Sequence, residues 1–148
     1  MLARAAYVQL GPKKVSFGAV ALSSDSRILA VADVRGVEQT SIYIRHATGV
    51  YVSFGSKLVG TGAVGKAQQG SSVALSADNS TLAIGGPHDN NDCGEVWIFK
   101  RDATGMFVQL GRKLVGNGTI GLAQQGTSVS RRRPVGRRQG PRRWRAAR

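Results

Sequence analysis

Residues 51–73 read YVSFGSKLVGTGAVGKAQQGSSV, and residues 107–129 read FVQLGRKLVGNGTIGLAQQGTSV. The two stretches stand 56 positions apart and share fourteen residues, among them Lys57/Lys113, Gly60/Gly116, Gly62/Gly118 and the run Ala67-Gln68-Gln69-Gly70/Ala123-Gln124-Gln125-Gly126. Recurrence at a period of this size marks a chain built from stacked supersecondary units, each too small to bury its own apolar face. The repeat therefore decides the architecture before any single residue is weighed.

A more diverged copy precedes the pair. Tyr7-Val8-Gln9-Leu10-Gly11 matches Phe107-Val108-Gln109-Leu110-Gly111, and Val20-Ala21-Leu22-Ser23-Ser24-Asp25 matches Val73-Ala74-Leu75-Ser76-Ala77-Asp78. The offset there is 53, which places a three-residue length difference in a loop. In the second unit, four short strands are expected over Ser71–Ser76, Thr81–Gly85, Glu95–Lys100 and Phe107–Val115. The β-branched and aromatic runs Val96-Trp97-Ile98-Phe99 and Ile42-Tyr43-Ile44 suit a pleated, half-buried surface. Turn-forming clusters lie between them at Ala77–Ser80, Gly86–Asp92 and Asp102–Gly105. Four strands in about 50 residues is the size of one propeller blade.

The expected fold is all-β, with antiparallel four-stranded blades forming a partial β-propeller. Residues 7–50 form a diverged blade, residues 51–106 a second blade, and residues 107–129 the start of a further unit. Residues 130–148 form a basic tail that is expected to be disordered.

Composition agrees. Twenty glycines in 148 residues and 6% aromatics suit short strands and tight turns. The single cysteine, Cys93, forms no intrachain disulfide. No apolar run approaches the roughly 18 residues of a membrane span. The opening Met1–Ala6 is too short and too weakly apolar to be a signal peptide. The chain reads as soluble and unexported, with its compartment unspecified.

The residues resemble the FG-GAP-type β-propeller repeats known from integrin alpha-subunit heads. Phe17-Gly18-Ala19-Val20-Ala21-Leu22-Ser23 matches the Phe-Gly opening strand, where the second unit has Gln69-Gly70 instead. Gly85-Gly86-Pro87 stands in for the Gly-Ala-Pro signature and is followed by Gly94-Glu95-Val96-Trp97-Ile98-Phe99. The resemblance covers residues 7–129 and implies fold more than activity, since propellers host many functions. Relatives often carry an Asp-rich calcium loop between the first two strands. This chain has only Asp25-Ser26-Arg27 and Asp78-Asn79-Ser80 there, too few oxygens for a cation that takes six to eight. No metal or other cofactor is expected. Propellers close with four to eight blades, so two blades leave apolar faces open. A fragment of a larger propeller, or self-association through those faces, is expected.

The formal charge of +13 resides mostly in the tail. Residues 130–148 hold nine arginines and no acid, while residues 1–129 hold twelve Lys plus Arg against eight acids. Arg131, Arg132, Arg133, Arg137, Arg138, Arg142, Arg143 and Arg145 could neutralise phosphates in a salt-sensitive, sequence-independent way, with Trp144 stacking on a base. The competing reading is a change of reading frame, because the repeat stops abruptly after Val129 and Arg, Gly, Pro and Ala belong to GC-rich codons.

The remaining polar features read as structural. His88 and Asp89–Asp92 form a solvated loop. The glycines of Gly60–Gly65 serve turns and lack dinucleotide-loop spacing. Gln68-Gln69 and Gln124-Gln125 occupy a repeated structural environment. Asn79-Ser80-Thr81 and Asn117-Gly118-Thr119 fit the glycosylation pattern, which matters only in a secreted protein. Neither His46 nor His88 sits in a nucleophile motif, so no catalytic residue is assigned. The sequence points to a non-enzymatic interaction or structural repeat module for a protein or glycan ligand of unspecified identity. The alternative is a polyanion or nucleic-acid binder acting through the tail.

Overall fold

A computed structural model describes residues 12–14, 16–118 and 121–130. Strands β1 (Val20–Leu22), β2 (Ile28–Asp33), β3 (Gln39–Arg45) and β4 (Tyr51–Ser53) form one four-stranded sheet, in that order. Strands β5 (Ser72–Leu75), β6 (Thr81–Gly86), β7 (Glu95–Arg101) and β8 (Phe107–Gln109) form the second. Every neighbouring pair is antiparallel. The fold is all-β, made of two propeller-like blades that do not close on themselves.

The turns show why the strands reverse where they do. In the β1–β2 turn the Ser23 hydroxyl donates to Asp25 Oδ1 (2.7 Å) and accepts from the Ile28 amide (2.8 Å). The β5–β6 turn repeats this with Ser76, Asp78 and Thr81. Each turn places one residue at positive φ, Ser26 (58°) and Asn79 (59°). Short polar side chains bonding their own backbone are what such tight turns need.

One core lies between the sheets. By register, Ile28 and Ile44, Ala30 and Ile42, and Ala32 and Thr40 share a face of the first sheet. Opposite it stands the face of the second sheet formed by Val73, Leu75, Leu82, Ile84, Trp97 and Phe99. These two faces supply most of the single buried cluster, with Leu58 and Ala67 added from the crossing between the sheets. Glycines admit the close approaches around this core: Ala32 packs against Gly18 and Gly70, and the Trp97 ring against Gly60 and Gly86.

Two expectations are corrected. The strand expected over Phe107–Val115 ends at Gln109. Gly111 has φ of 69°, and pairing resumes only at Leu114, bridged to Val96. The first sheet breaks in the same way at Gly55 and rejoins through Leu58 and Thr40, so a repeated bulge interrupts each outermost strand. The loop expected to be solvated at Asp89–Asp92 forms a tight turn with Asn90, Asn91 and Asp92 at positive φ (49°, 55° and 64°), in which Asp89 is fully buried.

Candidate interaction faces and a buried ionic knot

The crossing from the first sheet to the second explains the repeated glutamines. The Gly60 amide donates to Gln69 Oε1 (2.6 Å), and Gln69 Nε2 donates back to the Gly60 carbonyl (2.8 Å). Gln125 holds Gly116 in the same manner, one unit later. Gly60 itself lies against the Trp97 indole, where a Cβ would collide with the ring, and Trp97 Nε1 donates to the Thr61 carbonyl (2.9 Å). The glutamines are therefore main-chain clamps, as the repeat suggested.

The chain leaves the second sheet as it left the first. Gly70 O accepts from the Ala19 amide (2.8 Å), and Gly70 packs on Ala32. Gly126 O accepts from the Ser72 hydroxyl (2.6 Å), and Gly126 packs on Gly85, the counterpart of Ala32. Beyond it, Ser130 lines a shallow recess with Ala74 and Ala83 on the free face of the second sheet.

Each sheet has one such free face. On the first, register places Val20, Leu22, Leu29, Val31 and Tyr43 together; Val20 and Leu22 are 55% and 54% exposed, while Val31 is buried and Lys14 Nζ lies 4.6 Å from the centre of the Tyr43 ring. On the second, Ala74, Ala83, Ile98 and Val108 stand away from the core, and Val108 is 54% exposed. Position for position, the first group repeats Val73, Leu75, Leu82, Ile84 and Phe99. The second group repeats Ala21, Ala30, Ile42 and Val52. The open sides thus carry the two surfaces that already meet in the middle of the molecule.

A buried ionic knot ties the further unit to the second sheet. Lys113 Nζ donates to Asp89 Oδ2 (2.7 Å) and lies 2.6 Å from Glu95 Oε2. Asp89 Oδ1 also accepts from the Val64 amide. Burial raises the Glu95 pKa, and the adjacent Asp89 adds to this against the pull of Lys113. Burial acts on Asp89 too, but hydrogen bonds from Glu95, Lys113 and Val64 outweigh it and hold that carboxyl below its ordinary value. On Lys113, burial works downward, and the two carboxylates overcome it to raise the pKa.

Sequence reasoning placed none of these three in a site. Its candidates Arg131, Arg132, Arg133, Arg137, Arg138, Arg142, Arg143, Trp144 and Arg145 lie outside the described residues, as does the expected disorder of the tail. His88 pairs with Asp92, no group of three or more metal-ligating side chains forms among the described residues, and Cys93 is a half-buried free thiol. In the β5–β6 turn the Asp78 carboxylate accepts from the Ser76 and Ser80 hydroxyls, which hold its pKa at about 2. Among the described residues, no helix is long and apolar enough to cross a membrane.

No family model matches the chain, and no curated protein does. Among solved structures, it is similar to a Bacteroides fragilis protein provisionally named a 6-phosphogluconolactonase, with 19% identity and a TM-score of 0.49. The match covers 66% of this chain, which spans about 25% of that structure. The expectation that the chain is not an enzyme is corrected by this finding. That similar structure bears an enzyme's name.

Proposed function

We propose that the chain is an interaction and structural repeat module of the FG-GAP propeller type, whose open faces receive further blades. The observation that carries this reading is the repetition of the central contact surfaces on both outer sides. A second copy meets the requirement directly, its first sheet docking on the second sheet of its neighbour. Such a head-to-tail contact is heterologous and propagates or closes into a ring. A further blade from a longer polypeptide would use the same surfaces.

Complementation tests the arrangement. In sedimentation velocity, the chain is expected to associate with rising concentration. Val20→Asp spoils one face and Val108→Asp the other. Each variant alone is expected to stay monomeric, while an equimolar mixture forms a dimer through the two intact faces. A mixture that stays monomeric while the unmodified chain associates would rule out head-to-tail docking. An unmodified chain that stays monomeric at high concentration would rule out the second copy.

The charge of residues 130–148 favours a second reading, polyanion binding through the tail. Retention on heparin that falls steeply with salt and disappears on Arg→Gln replacement across 131–145 is the expected result; retention unchanged by that replacement would refute it.

A further inference from the structure

Where the β1–β2 turn meets the β5–β6 turn, three arginines line one recess that the packing of the blades does not require. The recess holds about 290 Å³ and is bordered by Arg27, Arg45 and Arg101, with Asp25 and Asn79. Arg27 and Arg45 stand opposite each other on neighbouring chain segments, the Arg45 amide donating to the Arg27 carbonyl (2.8 Å). Like charges in that relation oppose pairing. The ion pairs among the described residues join His88 to Asp92 and Lys113 to Asp89 and Glu95, and engage none of these arginines.

Other features of the recess prepare it for an anion. Arg101 Nε donates to the Gly105 carbonyl (3.0 Å), which fixes the plane of that guanidinium against its turn. The only carboxylate bordering the recess, Asp25, already accepts from the Ser23 hydroxyl, the Arg27 amide and Asn79 Nδ2. A second recess, about 440 Å³, shares Arg27 and Arg45 and extends past His46 to Gly49. It leaves room for whatever carries the anion.

We infer that this inter-blade cleft binds a tetrahedral dianion of the phosphate class. Guanidinium forks match phosphate oxygens in geometry and charge. Three cations over one carboxylate favour a dianion above a monoanion. Arg27 and Arg45 are exposed, so solvent and salt screen the attraction and binding at about millimolar strength is expected.

The full chain, isotopically labelled at arginine and asparagine, is titrated with phosphate, sulfate or acetate at pH 7 and fixed ionic strength. Phosphate is expected to shift the Nε resonances of Arg27, Arg45 and Arg101 and the Asn79 side-chain amide saturably, with acetate far weaker. Arg45→Gln, or Arg27→Gln should the first variant unfold, is expected to weaken phosphate binding about tenfold. Lys100→Gln is expected to leave it unchanged. Shifts confined to residues 131–148, an equal response to acetate, or an unchanged affinity in Arg45→Gln would overturn the site.

Discussion

A lysine and two carboxylates show how context changes one repeated residue. Lys57 and Lys113 are the same residue in both copies, yet Lys57 is exposed and Lys113 is held between Asp89 and Glu95. Removing one partner from a buried ionic group leaves the other charge uncompensated. Lys113→Met is therefore expected to cost about 3 kcal/mol, read from chemical denaturation. The pH dependence follows from the shift directions. Asp89, lowered from 3.8, stabilises the fold above that value, and its contribution is lost as pH falls through the folded pKa. Glu95, raised from 4.5, binds more protons folded than unfolded, so stability declines as pH climbs from 4.5 through its folded pKa. Lys113, raised from 10.5, adds stability that is lost only as pH rises through its own folded pKa. Glu95→Gln is expected to flatten the middle decline; a variant whose stability still falls over that range would place its cause elsewhere.

At the scale of the element, the crossing between sheets is held by a side chain rather than by a strand. Gln69 is buried, so Gln69→Leu strands the amide and carbonyl of Gly60 and is expected to cost about 2 kcal/mol. Gln125 makes the same clamp beside an exposed Gly116, where water can replace it, and Gln125→Leu is expected to cost less than about 1 kcal/mol. Equal costs would mean that burial is not what sets the value of the clamp. The repeated Gln-Gln-Gly run made this element legible before any coordinates, because identical residues at one period answer identical local geometry. The buried Asp89 was not legible. A run of His, Asp and Asn reads as solvated, and only the fold brings Lys113 to it across 24 positions. The arginine recess left a faint signal, since Arg45 and Arg101 stand 56 positions apart in the repeat register. Arg27 breaks that pattern, its counterpart being Ser80, and the cleft exists only because two turns from different blades meet.

For the whole molecule, the decisive feature is that one core serves both sheets. Ile28, Ala30, Ala32 and Ile42 belong to the first sheet, and Leu82, Ile84, Trp97 and Phe99 to the second, yet all fall in a single buried cluster. Neither sheet can keep its buried face covered without the other, so the two should unfold together. Ile42 lies wholly in the first sheet, and Ile42→Ala removes buried volume there at an expected cost of about 3 kcal/mol. Trp97, buried in the second sheet, reports from the opposite side of the interface. Denaturation of Ile42→Ala followed by Trp97 fluorescence, with Trp144 replaced by Phe, is expected to shift by as much as the β-sheet circular dichroism. Coincident curves mark one cooperative unit. A fluorescence transition that stays in place while the circular dichroism splits would mean that each blade stands alone. The outer faces would then have no energetic reason to seek a neighbour, and the repeat would be a string of independent sheets rather than part of a propeller.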